Sequence, residues 1–290
     1  MHARAAAATT TALLGAVVVL PIPTAHAAES TDQPLVIAHR GASAQAPENT
    51  LAAIDKANRL GFRWVENDVQ RTKDGQLVVI HDDSLTRTTD VEEVFPGRAP
   101  WKVKDFTAAE IARLDAGSWF SPRYTGARVP TLKQYMNRVS KNHQKLVLEI
   151  KNPTLYPGIE RETLKVLSNE GWLGPAHVRS KLVIQSFDAN TVRTVHALRP
   201  DIKTGFLGTP SVAELPAFAQ FTDQINSSHT TISLGYVAAI HALEGAHGKP
   251  LEIFTWTVDT AQDTRRVAGF GVDGVITNKP DVVRKALREG

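Results

Sequence analysis

Two acidic residues interrupt an otherwise apolar stretch at 65–83, which reads VENDVQRTKDGQLVVIHDD. Glu66 and Asp68 are separated by one residue, and because side chains alternate along a strand, both carboxylates project from the same face. Neighbouring carboxylates repel each other, and burial makes each of them harder to ionise. A hard divalent cation reverses that penalty, since such ions prefer oxygen ligands. The pattern is therefore typical either of a metal site or of an acidic pair that faces solvent.

Further polar groups at the ends of strand candidates favour the metal site. A hairpin around Asp74 and Gly75 would fold His81 back to about the level of Asp68. The other polar residues placed at strand ends are His39, Arg40, Glu149 and Lys151. We expect all of these side chains to converge on the two acids.

The elements that must position these residues alternate between strands and helices. The eight strand candidates lie at 35–39, 64–69, 146–151, 182–187, 203–207, 231–235, 252–258 and 274–278. Helical patterns lie between most of them, as at 50–61, 189–200 and 260–271. Eight such strands predict an α/β fold that closes as a TIM (β/α)8 barrel, with its active site where the strands run into the following loops. The alternative is an open doubly wound sheet, but no G-x-G-x-x-G follows the first strand.

A ninth apolar run, at 76–82, follows the second strand too closely to be part of the parallel barrel. Only RTKDG separates the two, which is too short for a parallel crossover and right for a hairpin. We therefore expect an antiparallel β-hairpin folded over the second barrel strand. The next segment, about 83–130, has turn residues and aromatics but no clear strand, so it is predicted to be a small insertion beside the barrel mouth.

Residues 1–27 are predicted to be a secretory signal peptide, which precedes a domain at 28–290. Arg4 comes before an apolar run at 12–20, and the small residues Ala25 and Ala27 stand at positions −3 and −1 of the expected cleavage site. The run is too short to span a bilayer, so no transmembrane anchor is expected. These features predict a secreted protein, extracellular or periplasmic.

Composition excludes several classes of function. The 290 residues are 42% hydrophobic and 22% charged, which is enough for a full core. The chain has no cysteine, so disulfides, thiolate metal sites, cysteine nucleophiles and lipid attachment through an N-terminal cysteine are excluded. The formal charge of +3 falls to +2 on removal of the signal peptide, which carries one arginine and no acid. A nearly neutral domain gives no reason to expect nucleic-acid binding, and the sequence carries no indication of the oligomeric state.

The motifs resemble, in order and in spacing, those of the glycerophosphodiester phosphodiesterase family, in its secreted bacterial form. They are HRGASAQAPENTLAAI, ENDVQRTKDGQLVVIHDDSLTRTT, LEIK, SF, WTV and GVITNKP, and they run from about Leu35 to the C-terminus. Each piece alone is weak, but H-R-G, P-E-N-T, E-x-D and H-D in this order are highly specific. The resemblance implies a TIM barrel with an insertion after the second strand, a divalent metal, usually calcium or magnesium, and hydrolysis of glycerophosphodiesters to sn-glycerol 3-phosphate and an alcohol.

The resemblance also implies which residues do the chemistry. His39 and His81 would be the catalytic histidines, one taking a proton from the nucleophile and the other giving one to the departing alkoxide, in either order. The nucleophile would be water, or first the glycerol 2-hydroxyl, which forms a cyclic phosphate that water then opens. The implied metal ligands, a set that suits Ca²⁺ or Mg²⁺, are Glu66, Asp68 and Glu149.

The implied substrate-binding residues are Arg40, Glu48, Lys151 and Trp256. Arg40 and Lys151 would neutralise phosphate oxygens. Glu48 would contact the glycerol hydroxyls or hold the neighbouring histidine loop, and the ring of Trp256 would pack against the glycerol backbone. Three further residues are expected to line the same cavity, namely Gln185, Phe187 and Asn278.

Two positions depart from the family pattern. Asn67 stands between the two acids, where relatives mostly have an apolar side chain, and alternation places it on the outer face against the helices. Asp259 follows WTV, where many relatives have asparagine. It lies past the end of the strand, so we expect an effect at the rim and on substrate preference.

Two other functions are compatible with these motifs. A phospholipase D-like enzyme acting on lysophospholipids or sphingomyelin would share the histidine pair and the E-x-D strand. The complete PENT segment and the absence of cysteine favour the simpler diesterase. A non-catalytic module that binds phosphodiesters would be expected to lack a histidine or a metal acid, and all five are present here.

Overall fold

Between Gln33 and Gly290, eight parallel strands close into a barrel, and a ninth strand pairs with it antiparallel. The computed structural model describes residues 1–2 and 33–289, so residues 3–27 of the predicted signal peptide lie outside the described residues. The strands are β1 Leu35–Ala38, β2 Trp64–Arg71, β3 Leu77–Val79, β4 Lys145–Ile150, β5 Leu182–Ser186, β6 Lys203–Leu207, β7 Gln224–Ser228, β8 Phe254–Trp256 and β9 Gly274–Thr277. Closure follows because β1 pairs in parallel with both β2 and β9. The predicted TIM barrel is confirmed.

The helices lie mostly in the connections between barrel strands. They are α1 Leu51–Arg59, α2 Val91–Val94, α3 Ala108–Ile111, α4 Leu132–Lys141, α5 Ile159–Asn169, α6 Pro175–Ser180, α7 Ala189–Leu198, α8 Leu215–Ala219, α9 Leu234–His241, α10 Ala261–Ala268 and α11 Pro280–Arg288. Side-chain oxygens of Thr50, Thr131 and Asp188 accept backbone N–H groups in the first turns of α1, α4 and α7, which fixes where these helices begin. Within the part of the chain that the structure describes, no helix is long and apolar enough to cross a bilayer.

The two faces of β2 carry different kinds of side chain: one face packs against the helices, and the other carries the acids of the predicted site. Val65 and Val69 point outward into the main hydrophobic cluster between the barrel and its helices, where each buried side chain stabilises the fold by about 1.5–3 kcal/mol. Asn67 lies on the same outer face, as its alternation predicts. It is fully buried, and neither amide atom has a hydrogen-bond partner among the described residues. The other face carries Glu66 and Asp68.

One predicted strand is wrong. The run at 231–235 is not a strand, because Ser233 caps α9 and Leu234 begins that helix. The seventh barrel strand is β7, earlier in the chain, whose sequence QINSS looks polar. It can be polar because Asn226 Nδ2 donates to Gln185 Oε1 at 2.8 Å, so the amide is satisfied although it is buried. The other seven strand predictions agree with the structure to within a few residues.

The hairpin strand β3 joins the barrel to the segment at 83–130. It pairs antiparallel with β2, as predicted, and the register places Val79 opposite Val69. The segment that follows contains α2, α3 and two short 3-10 turns, at Val103–Asp105 and Pro122–Tyr124. Its apolar side chains form a cluster with one face of the hairpin: Val78, Ile80, Leu85, Val91, Val103, Phe106, Ile111, Leu114, Ala116 and Val129. This packing fixes the hairpin, and therefore His81, beside the barrel mouth.

Candidate active site

Three carboxylates meet inside the barrel at the C-terminal ends of β2 and β4. In the parallel register between these strands, Asp68 lies opposite Glu149, and Glu66 lies one inward-facing position earlier. One carboxylate oxygen from each residue lies within 4.8 Å of the other two. All three side chains are buried, with relative exposures of 5% or less. The acid triad that the sequence predicts is therefore assembled by strand register alone.

The triad has the properties of a cation site. Glu66 Oε1 and Asp68 Oδ1 are buried and accept no hydrogen bond within the described part of the chain. Burial and then the neighbouring carboxylates raise the pKa of both Glu66 and Glu149, so the three carboxylates by themselves disfavour full ionisation. A hard divalent cation coordinated by oxygen would remove both penalties, so the residues present fit such an ion.

Two cations and an amide hold the triad from its rim. Arg40 Nε lies 3.2 Å from Asp68 Oδ2, and Lys151 Nζ lies 2.9 Å from Glu149 Oε1. Asn49 Nδ2 donates to Asp68 Oδ2 at 2.8 Å. Burial would raise the pKa of Asp68, but these positive charges outweigh it, and the pKa of this carboxyl is lowered. Asn49 therefore holds the Asp68 carboxylate in place. It does not cap α1, because the N-cap of that helix is Thr50.

The backbone of the loop after β1 is strained to make these contacts. Arg40 has a φ of 53° and Asn49 a φ of 59°. Both lie in the left-handed region of backbone conformation, which residues other than glycine rarely adopt. Strain of this kind costs on the order of 1–3 kcal/mol per residue and persists only where the surroundings impose it. Here it lets the Arg40 amide donate to Glu66 Oε2 at 2.9 Å while the guanidinium of the same residue contacts Asp68.

His39 is held in one tautomer by a chain of hydrogen bonds. Its Nδ1 lies 2.7 Å from Asn278 Oδ1, and Asn278 Nδ2 donates to Asp259 Oδ2 at 2.7 Å. A carboxylate only accepts, so the amide group of Asn278 must face Asp259 and its oxygen must face His39. The Nδ1 of His39 consequently carries the proton, and its Nε2, 3.9 Å from Glu66 Oε2, presents a lone pair. Burial and then the Arg40 charge lower the pKa of His39 to about 4, which keeps the ring neutral at pH 7.

The hydrogen bonds from His39 through Asn278 to Asp259 predict that Asn278→Leu lowers the catalytic rate. Without the amide oxygen, the ring of His39 can turn or exchange tautomers, so we expect kcat to fall about 10- to 100-fold, as for other lost partners of functional histidines. KM should stay within about twofold, since the two cations of the cavity, Arg40 and Lys151, are untouched. Asn142→Leu, at the C-terminus of α4, is the matched control, because it also loses an amide hydrogen bond but lies before β4 begins. An unchanged kcat for Asn278→Leu would show that the hydrogen bond does not orient the base.

His81 has a different partner. Its Nδ1 lies 2.6 Å from Asp82 Oδ1, so a carboxylate and not an amide orients this ring. Burial, together with the charges of Arg40 and Lys151, lowers the pKa of His81, and the charge of Asp68 and the hydrogen bond to Asp82 only partly oppose that shift. Arg87 in turn donates to Asp82 and to Glu48. Asp82 and Arg87 were missed as site residues, although both lie within the HDDSLTRTT motif.

A cavity of about 120 Å³ opens above the triad at the barrel mouth. Its lining residues are His39, Arg40, Glu66, His81, Glu149, Lys151, Gln185, Phe187, Leu207, Trp256, Thr257 and Ile276. Nine of these are residues that the sequence places in the site. Asp68, Glu48 and Asn278 do not line the cavity but lie behind the residues that do.

One wall of the cavity is aromatic. The rings of Phe187 and Trp256 meet edge to face with their centroids 5.5 Å apart, and Trp256 Nε1 donates to the Asn226 carbonyl at 2.9 Å. Lys151 Nζ lies 5.2 Å from the centroid of the Phe187 ring. An apolar surface beside a cation suits a ligand with both carbon and phosphate groups.

Known proteins are similar to this chain in sequence. Residues 39–282 match the model of the glycerophosphoryl diester phosphodiesterase family. The chain is 37% identical over 258 residues to a glycerophosphodiester phosphodiesterase of Caldanaerobacter subterraneus, covering 88% of this chain and 98% of that one. It is 35% identical over 274 residues to one of Bacillus subtilis, covering 89% of this chain and 88% of that one.

A solved structure is similar over the whole barrel. It is that of an Oleispira antarctica phosphodiesterase in complex with the product sn-glycerol-3-phosphate. The TM-score is 0.76 at 29% sequence identity, over 88% of this chain and 97% of that one. Barrel, motif order and sequence agree, and the chain is therefore a member of the glycerophosphoryl diester phosphodiesterase family.

Proposed function

We propose that the protein hydrolyses glycerophosphodiesters to sn-glycerol 3-phosphate and an alcohol, and that it requires a divalent metal ion. The observation that carries this is the convergence of two imidazoles, two cations and a buried carboxylate triad on one cavity. Family membership supports the substrate class, and the Oleispira antarctica relative holds sn-glycerol-3-phosphate as its product.

The two histidines divide the proton transfers between them. His39 is the base, because its Nδ1 proton is held by Asn278 and its Nε2 lone pair is free. His81 is the acid, because the Asp82 carboxylate on its Nδ1 stabilises a protonated ring more than the amide oxygen of Asn278 stabilises that of His39. His39 takes a proton from the attacking hydroxyl, of water or of the glycerol 2-carbon, as the new P–O bond forms. The P–O bond to the head group breaks, and the departing oxygen takes its proton from His81. Where the glycerol hydroxyl attacks, the product of this step is a cyclic phosphate. Water then opens it, giving its proton to the now neutral His81 while the now protonated His39 returns a proton to the glycerol oxygen.

The charged groups around the cavity stabilise the phosphate. The ligands of the divalent cation, Ca²⁺ or Mg²⁺, would be Glu66, Asp68 and Glu149. Such an ion, when bound, supplies positive charge to the phosphate oxygens in the transition state. Arg40 and Lys151 add to that charge from the rim, and Trp256 offers the carbon atoms of glycerol an apolar face.

The test is turnover by metal-stripped protein of glycerophosphocholine and glycerophosphoethanolamine. Ca²⁺ or Mg²⁺ should restore release of glycerol 3-phosphate, and a chelator should stop it. No turnover of any glycerophosphodiester with either ion would overturn the proposal. Faster turnover of lysophosphatidylcholine than of glycerophosphocholine would favour the phospholipase D-like alternative.

We also propose that the protein is exported after cleavage before Ala28. The support is the basic start at Arg4, the apolar run at 12–20, and Ala25 and Ala27 at the expected cleavage site. N-terminal sequencing of protein recovered from outside the cytoplasm should begin at Ala28. Recovery of the uncleaved chain from the cytoplasm alone would contradict the proposal.

A further inference from the structure

Arg87 lies between two carboxylates that belong to different parts of the site. Its Nε donates to Asp82 Oδ2 at 2.6 Å, and its Nη2 lies 3.2 Å from Asp82 Oδ1. The opposite edge of the guanidinium donates to both oxygens of Glu48, at 2.8 and 2.7 Å. A planar guanidinium can make two such paired contacts at once, whereas a lysine ammonium is a single point charge.

Each of these carboxylates has a second partner that faces the cavity. Asp82 orients the ring of His81, and Glu48 Oε1 also accepts from Arg40 Nη1 at 2.8 Å. Arg87 is therefore the middle of an alternating chain that connects the phosphate-binding cation to the second histidine. The members, in spatial order, are Arg40, Glu48, Arg87, Asp82 and His81.

The arrangement leaves Glu48 little capacity to bind substrate. Arginine nitrogens occupy both of its oxygens, one of them twice, and the residue does not line the main cavity. Of the two roles expected for Glu48, holding the neighbouring loop matches this geometry. Its loop carries Arg40, and Arg87 comes from the segment after the hairpin, so the contact joins the two loops that carry the catalytic groups.

We propose that Arg87 is a positioning residue, which fixes His81 at the place where the leaving oxygen must be protonated and sets its separation from Arg40. This inference rests on the proposed function, because it needs His81 to act as the acid. Arg87 itself is absent from the cavity lining and acts through Asp82 and Glu48.

A purely structural role for Arg87 has little support. Its side chain is 43% exposed, and an ion pair in that environment contributes only about 0–1 kcal/mol to stability. The segment that carries Arg87 has its own apolar cluster and further ties to the barrel, such as the hydrogen bond from Tyr124 Oη to the Gln45 carbonyl at 2.8 Å. Removing the guanidinium should therefore disturb the ring of His81 more than the fold.

The test compares two glycerophosphodiesters that share the glycerol phosphate and differ in the leaving group. Choline leaves as a strongly basic alkoxide and needs a proton, whereas p-nitrophenolate is weakly basic and leaves without one. For Arg87→Met we expect kcat on glycerophosphocholine to fall about 10- to 100-fold, and kcat on the p-nitrophenyl diester to fall less than about threefold. Arg87→Lys should recover part of the loss, and Asp82→Asn should show the same contrast between substrates.

Arg123→Met is the matched control, since this exposed arginine lies in the same segment and donates to the Gln45 carbonyl. It should change neither rate, and the melting temperatures of all variants should stay close to that of the wild type. Equal losses on both substrates, or an unchanged rate on glycerophosphocholine, would overturn the role of Arg87. Wild-type protein that turns over neither diester would instead overturn the proposed function.

Discussion

Replacing Glu149 with glutamine should greatly slow turnover and, at the same time, stabilise the metal-free protein at pH 8. Burial and the neighbouring Asp68 charge raise the pKa of Glu149 to about 8, from an ordinary value of 4.5. Between these two pH values Glu149 binds more protons in the folded state than in the unfolded state, whereas the lowered pKa of His39 has the opposite effect up to its ordinary value of 6.5. The contribution of Glu149 therefore makes the free energy of unfolding of the metal-free protein fall as the pH rises from 6.5 to 8. Glutamine has nearly the same shape as glutamate and carries no charge. The variant therefore does not lose the unfolding free energy that the wild type loses when Glu149 ionises.

The same substitution removes one of the three proposed metal ligands. Changing a residue that only supports a ligand costs about 10- to 100-fold in affinity or activity, so losing the ligand itself should lower kcat/KM by at least about 100-fold. Thermal unfolding with a chelator from pH 6.5 to pH 8.5 should show a melting temperature that falls with pH in the wild type and falls less in Glu149→Gln. Added Ca²⁺ or Mg²⁺ should raise the wild-type melting temperature at pH 8 by at least about 2 °C, and a shift of that size corresponds to about 0.5–1 kcal/mol.

The matched control is Glu92→Gln, which removes an exposed carboxylate of α2. It should leave activity, metal response and pH dependence as they are in the wild type. A Glu149→Gln variant that is less stable than the wild type in chelator at pH 8 would show that the triad does not carry unfavourable charge. Full activity in that variant would remove Glu149 from the metal site.

His39→Ala and His81→Ala should both lower kcat on glycerophosphocholine by about 10²- to 10⁴-fold, the usual contribution of a general acid or base. They should differ on the p-nitrophenyl diester. Attack needs a base whatever the leaving group, so His39→Ala should be slow on both substrates. His81→Ala should be nearly as fast as the wild type on the substrate that leaves without a proton.

His241→Ala is the control for this pair, because His241 lies on α9 and pairs with Asp273 at 2.9 Å, away from the cavity. It should leave both rates unchanged. If calorimetry shows that His81→Ala still binds glycerophosphocholine, the substitution slows the chemical step and not substrate binding. The opposite leaving-group pattern would exchange the roles of the two histidines, and an unchanged rate for either variant would remove that residue from catalysis.

Much of the fold could be predicted because most barrel strands bury apolar side chains on at least one face. The run LVLEIK and its neighbour WVENDV show this alternation, and both are strands in the structure. The seventh strand could not be found in the same way. Gln224 and Asn226 fill its inner face, and their side chains form hydrogen bonds with each other and with nearby polar side chains. Because the strand is polar on this face, its sequence resembles that of a turn.

The candidate site was predictable where it depends on strand register and much less where it depends on loop paths. The triad and Lys151 follow from alternation on two adjacent strands. Asn278 was expected in the cavity and instead lies behind His39, at a distance set by the turn after β9. The role of Arg87 depends on how the chain folds back after Asp82, which no periodicity in the sequence describes.

The alternation along β2 also protects the barrel from mispairing. Val65, Asn67 and Val69 face the helices, while the two acids face the interior. A slip of one residue would exchange these sets and drive both carboxylates into the apolar layer beneath α4, where an uncompensated charge costs several kcal/mol. The acids that would hold the ion during turnover therefore also disfavour the shifted strand register while the chain folds.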